Sequence, residues 1–397
     1  MKDNEILNWY PSRGEELLLK AALWNEDEAV VAWQTWIQEN GVKEIDHQFY
    51  PLGAMLYQNL KDRIHEPYMN KFKGVYRSIW FKNQFLLKKI SPVLRALENE
   101  KIPMLSLKGM GLTLNYYKDF GLRPMWDVDI LIPRQEVIRV SQLLGSYGFK
   151  RYESLEYSIE ELMKWCHSIG FRNPQGLFID LHWESLWCSY KTSVDDDFWA
   201  DAKPFLFDGI SIKGLSASDQ FLHVCVHGAR KKGVNPYSWA QSSAVKCMPD
   251  AMKILRVSKS LDWERIIRLS REMSVTLQMR DVVRYLATTL KAPIPTEVVE
   301  QFQNLQVLRM ERVHYRLTMD QAQPQTFWEK FIYMVWASYM TWLRRHYGLK
   351  NVNSWGFLKF STRFIFFCKD ILQMSMISFS AFRIKFRYYL GLTFKKR

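Results

Sequence analysis

The segment WDVDILIP, residues 126–133, sets two aspartates one residue apart at the head of an apolar run. As a strand it directs Trp126, Val128, Ile130 and Ile132 to one side and Asp127 and Asp129 to the other, about 7 Å apart along the chain. A second segment, FIDLHWE at 178–184, turns Ile179, Leu181 and Trp183 inward and Asp180, His182 and Glu184 to the opposite face. If the two strands are neighbours in one sheet, Asp127, Asp129 and Asp180 converge. Like charges that close repel and resist desolvation, so something positive is expected between them. Three carboxylates make a hard oxygen donor set of the kind that holds one or two Mg²⁺ ions against a triphosphate. The plainer reading of an isolated Asp-x-Asp pair is a solvated strand end.

Two neighbouring signals favour the metal reading. Lys108 and Gly109 follow a short apolar run and open a helical pattern, where backbone N–H groups and the helix dipole can approach phosphate oxygens. Arg123, four residues before Asp127, is placed either to meet phosphate or to anchor carboxylates, and its structural alternative is a salt bridge to Asp119. His182 either touches substrate or orients Asp180. His223 and His227 share a helix face, but Cys225 falls on another, so a packed or hydrogen-bonded histidine pair is expected rather than a zinc site. The motifs GxxxxGK[ST], GxGxxG and GxSxG do not occur, which removes the motif basis for P-loop, Rossmann and α/β-hydrolase readings.

The elements that must position these residues are legible in outline. Helical periodicity runs over 14–39 and 70–100. Pro103 ends that pattern. Short strands are expected near 104–107, 126–132 and 149–152, with helices at 110–118 and over RQEVIRVSQLLGSYGF. A hairpin joins MKWCHSIGFRNP to QGLFIDLHWES through Asn173-Pro174-Gln175-Gly176. Helices follow at 218–230, 249–259, 262–290, 296–318 and 327–346. The expected organisation is an N-terminal helical region (1–100), a mixed α/β unit (101–212), a C-terminal helical domain (213–320) and an aromatic, basic helical tail (321–397).

The chain has 397 residues, 48% of them hydrophobic and 15% aromatic, enough to bury a large core. Its five cysteines form no framework spacing and the start has no apolar signal-peptide core, so a reducing, cytoplasmic compartment is expected. The net charge of +14 is unevenly placed: residues 355–397 carry nine Lys or Arg against one Asp. That tail mixes aromatics with cations, a composition suited to an anionic lipid surface or to nucleic acid, although no specific nucleic-acid motif is present. Its longest uncharged stretch, 371–382, has 12 residues, short of the roughly 20 that span a bilayer. It can rest on the inner face of a membrane or pack within the protein, but not cross.

Lys108-Gly109, Arg123-Pro124-Met125, Asp127-Val128-Asp129 and Ile179-Asp180-Leu181-His182-Trp183 together resemble the nucleotidyltransferase superfamily that includes DNA polymerase beta. The pattern is most similar to that of the uncharacterised bacterial nucleotidyltransferases, over most of residues 50–300. The resemblance implies an α+β fold: a polymerase-beta-like palm, a small mixed sheet with helices, flanked by helical regions. It further implies transfer of a nucleoside monophosphate from an NTP, with two Mg²⁺ ions held by Asp127, Asp129 and Asp180, and with Lys108, Gly109, Arg123 and His182 toward the nucleotide. Asp180 would also serve the acceptor hydroxyl. The superfamily's usual Gly-Ser or Gly-Gly opening, about ten residues before the Asp pair, is missing here, and Lys108 stands in its place. The acceptor, whether small molecule, sugar, peptide or protein, is left open. The alternatives are a non-catalytic, antitoxin-like or regulatory nucleotide-binding protein, and a GT-A-type glycosyltransferase, in which the apolar strand precedes the Asp pair instead of following it.

Overall fold

The computed structural model describes residues 10–41, 50–152, 158–163, 166–186, 194–229, 244–307, 311, 312 and 315; the expected tail and the 327–346 helix lie outside them. Among these residues four helices come first: α1 (Arg13–Leu23), α2 (Glu26–Asn40), α3 (Tyr50–Leu60) and the 32-residue α4 (Tyr68–Asn99). Ser12 starts α1 through a capping box, its hydroxyl accepting from Glu15 N while the Glu15 carboxylate accepts from Ser12 N. The inner face of α4 carries Phe72, Ile79, Asn83, Leu86, Leu87, Ile90, Val93, Leu94 and Leu97, a spacing of threes and fours that buries one stripe.

The α/β unit then runs β1 (Leu105–Ser106), α5 (Gly109–Leu112), β2 (Val128–Leu131), α6 (Val137–Ser146), β3 (Lys150–Arg151), α7 (Ile159–Met163), β4 (Ser168–Arg172), β5 (Phe178–His182), α8 (Val194–Asp201), β6 (Lys203–Phe207) and β7 (Ile210–Gly214). The seven strands form one mixed sheet in the order β3-β4-β5-β2-β1-β7-β6. Strands β1 and β2 are antiparallel, whereas β2 and β5 are parallel, in a register that sets Asp129 beside Asp180. Among the described residues five helices follow the sheet: α9 (Ala217–Gly228), α10 (Ala244–Val257), α11 (Trp263–Glu272), α12 (Thr276–Thr288) and α13 (Thr296–Asn304).

The two faces of the sheet meet two cores. Val128, Ile130, Ile132, Ile179 and Leu181 pack with the second half of α4 and with Val137, Val140 and Leu144 of α6. On the other face Leu105, Leu107 and Leu131 join a larger core that draws together α1–α3 and α9–α12. The carboxylates sit on this second face, toward α9.

Several local expectations need correction. The helix expected at 110–118 is four residues of α-helix followed by a π-helical turn, Thr113–Tyr117. The stretch 262–290 divides at Ser274, whose φ of 57° closes α11 before α12 begins. The hairpin β6–β7 and the helix α8 are additions; Asp208 (φ 52°) and Gly209 (φ 73°) make the tight β6–β7 turn with both residues left-handed. Trp126 does not share the buried side with Val128. The strand begins at Val128, so Trp126 lies in the preceding bend and is 61% exposed.

Candidate active site

Parallel pairing of β2 with β5 brings Asp129 and Asp180 side by side on the sheet face opposite Val128, Ile130 and Leu181. His182, two residues beyond Asp180, points to the same face. Its Nε2 lies 3.0 Å from Asp180 Oδ2 and 3.3 Å from Asp129 Oδ1. Lys108, in the turn between β1 and α5, sets its Nζ 2.6 Å from Asp129 Oδ1 and 3.2 Å from His227 Nε2 on α9. The positive charge demanded by neighbouring aspartates is therefore a lysine and a histidine. His223, one turn before His227, directs Nε2 at the Ser185 carbonyl, 3.2 Å away, and the two rings stack at 5.9 Å. They form a packed, hydrogen-bonded pair.

These partners divide the three acids into two electrostatic kinds. Burial pushes the Asp129 carboxyl up, but Lys108 and His182 outweigh it and hold Asp129 well below the usual carboxylate range. Asp180 is also opposed by burial and also lowered on balance, chiefly by His182. Asp127 makes no ion pair among the described residues; burial, then the charge of Asp129, pushes it up to about 7. Burial works against an imidazolium at His182, yet Asp180 and Asp129 raise it to about 9, so it is a resident cation at neutral pH. Burial and Lys108 drive His223 down to about 3, leaving a neutral ring.

Once His182 gives up its proton, Asp129, Asp180 and His182 offer a donor set for a divalent cation. One ligand atom from each of Asp129, Asp180 and His182 lies within 4.8 Å of the others. The His182 Nδ1 is buried without a hydrogen-bond partner, and Asp127 stands beside the group with its own carboxylate uncompensated. The sequence suggests Asp127, Asp129 and Asp180 as the ligand set; the donor atoms that lie closest together in the structure are those of Asp129, Asp180 and His182. Asp127 precedes the first residue of β2, so strict alternation does not govern where its side chain points.

Arg123 does not pair with Asp119. Its Nε and Nη2 donate to both carboxylate oxygens of Asp250 on α10, at 2.9 to 3.1 Å, and Tyr117 Oη adds a hydrogen bond of 2.8 Å to the same group. Asp119 instead accepts from Tyr76 and from Gly121 N. Gly109 packs beside the loop that delivers Asp127: a Cβ there would sit 3.4 Å from Met125 Sδ and 3.5 Å from the Asp127 carbonyl.

Two site-building residues give no motif signal. Asn83, fully buried on α4, donates through Nδ2 to the carbonyls of Phe120 and Arg123, both at 2.7 Å, and accepts from Met125 N at 3.1 Å. Asp250 lies 127 residues from Arg123. Only the helical stripe of α4 hints at Asn83, as the single polar residue among its large inward positions.

Residues 48–291 match the model of one protein family, described as uncharacterised nucleotidyltransferase. No curated protein sequence matches the chain. Among solved structures, the antibiotic-resistance factor ANT(2'')-Ia is similar at 13% identity, over 53% of this chain and 97% of that one, with a TM-score of 0.33. An antigenic nucleotidyltransferase-like protein from Paracoccidioides brasiliensis is similar at 16% identity, over 54% of this chain and 96% of that one, with a TM-score of 0.39.

Proposed function

Because the chain belongs to the uncharacterised nucleotidyltransferase family, we propose that it transfers a nucleoside monophosphate from an NTP to an acceptor, releasing pyrophosphate, at Asp127, Asp129 and Asp180. The observation that carries this reading is the register of β2 against β5, which sets Asp129 beside Asp180 on one sheet face. Bound there, Mg²⁺ would neutralise the triphosphate and stabilise charge on the attacking and leaving oxygens. Asp127 and Asp129 are assigned to the nucleotide's ion, and Asp180 to a second ion and the acceptor.

The chain's own groups set the remaining conditions. Lys108 lies on Asp129 and is partly exposed, so it is the cation available to a phosphate oxygen when that carboxylate takes another partner. His182 balances Asp129 and Asp180 in the resting site, and its Nδ1 is the polar atom left to be satisfied. Arg123 is assigned a positioning role, because both of its engaged nitrogens are committed to Asp250. Gly109 keeps the α5 turn close to the backbone of Asp127. The glycosyltransferase alternative loses its ground with the family.

Purified protein given each labelled NTP, Mg²⁺ and a cell extract is expected to release pyrophosphate and label a discrete acceptor. Asp129→Asn and Asp180→Asn should each reduce labelling by at least about 100-fold, the scale on which removing a transition-state electrostatic group acts. Labelling at wild-type rates by both variants would remove the assignment.

A further inference from the structure

Helix α4 has an outer face unlike its buried stripe. From Tyr68 to Leu97 it carries seven Lys or Arg residues and no Asp or Glu. Arg77, Phe81, Phe85 and Lys89 follow one another at intervals of four, so they form a single row along the exposed side. Phe81 is 65% exposed and Phe85 45%, and their rings lie 6.4 Å apart with planes only 20° from parallel. Lys89 sits 5.7 Å from the Phe85 ring centre. Trp80, also exposed, flanks the row, and Lys82 reaches to 5.8 Å from the ring of Trp126. Trp126 is the residue before Asp127, so this surface runs from the helix to the rim of the carboxylate site.

We propose that this face docks single-stranded nucleic acid. The cations match a phosphate backbone, and nearly parallel exposed rings give unpaired bases a stacking surface. Duplex nucleic acid keeps its base faces covered and would leave the rings idle. The chain's own tail is a poor occupant on charge, since residues 355–397 carry nine cations and one acid against a helix face that is itself positive. An anionic bilayer shares the charge match but does not call for aromatic planes aligned in a row between two cations.

The test is direct binding to the full-length protein without NTP or metal, which makes it independent of the proposed activity. A fluorescent mixed-sequence single-stranded oligonucleotide should bind, with log K falling against log salt at a slope of about −2 for the three cations Arg77, Lys82 and Lys89. Phe81→Ala/Phe85→Ala should weaken that binding about 10- to 100-fold, leave the binding of inorganic polyphosphate unchanged, and keep the melting temperature, because both side chains are exposed. Equal oligonucleotide affinity in the double variant would overturn the proposal. So would absence of oligonucleotide binding, with or without capture by phosphatidylserine vesicles, or a dimer in sedimentation that the double variant dissociates.

Discussion

Asp127 and Asp129 look alike in sequence and behave oppositely in the folded protein. Asp129 is held ionised by Lys108 and His182, whereas Asp127 is pushed up to about 7 by burial and by Asp129 itself. Between about pH 4 and 7 the native state retains an Asp127 proton that the unfolded chain has released, so this group lowers stability as pH rises through that window. Asp127→Asn removes the effect. In the metal-free protein it should raise the melting temperature by a degree or more at pH 8 and by progressively less toward pH 4. Asp129→Asn should do the reverse and lower it by several degrees, because it removes an anionic partner from both Lys108 and the buried His182. Thermal scans of both variants at pH 5 and pH 8 check the signs. The same titration bears on metal affinity, since a protonated carboxyl is no ligand: Mg²⁺ should raise the wild-type melting temperature more at pH 8 than at pH 6.

At the scale of elements, the site depends on a loop held from two sides. Asn83 ties residues 120–125 to α4, and Arg123 ties them to Asp250 on α10. Asn83→Leu should remove three hydrogen bonds and leave buried backbone groups unmet, at a cost of about 2–4 kcal/mol. Arg123→Ala should strand the Asp250 carboxylate, which costs about 3–5 kcal/mol. Denaturant titration gives both numbers, and an unchanged NTP affinity in a folded Arg123→Lys protein would support the positioning role. Much of this level was legible beforehand. The alternation in WDVDILI and FIDLHWE placed Asp129, Asp180 and His182 on one face, and the Asn173–Gly176 turn announced the β4–β5 hairpin. Asp208-Gly209 between two apolar runs carried an equally readable hairpin signal. What could not be read was pairing at a distance: nothing local distinguishes Asp250 or Asn83 as a partner of the Arg123 loop, and the bend that frees Asp127 and exposes Trp126 depends on where pairing with β5 begins.

On the scale of the molecule, the N-terminal helices and the helices after the sheet share one core. Trp24 Nε1 donates to the Leu290 carbonyl, Lys291 pairs with Glu28 at 2.5 Å, and Leu17–Leu19 join the cluster that holds Met248, Met252 and Leu286. A fragment of residues 1–100 would lose the apolar surface that α10 and α12 lay on α1 and α3, so it is expected to be aggregated or molten, while the full chain unfolds these two regions together. Circular dichroism and ANS binding on the fragment test this, and a folded, monomeric fragment would contradict it. Among the described residues no helix is long and apolar enough to cross a membrane.

The in-register pairing of Val128–Leu131 with Ile179–His182 also bears on how this protein can change over evolutionary time. In a parallel pair, side chains alternate with a period of two, so gaining or losing one residue inside either strand would carry its aspartate to the opposite face and into the apolar core. Substitutions at the apolar positions of these strands can be weathered one at a time; changes of length cannot. Turns tolerate length variation far better, and Gly176, with a φ of 83°, marks such a point. Descendants of this sequence should therefore vary in loop length around two short stretches of four and five residues whose length stays fixed.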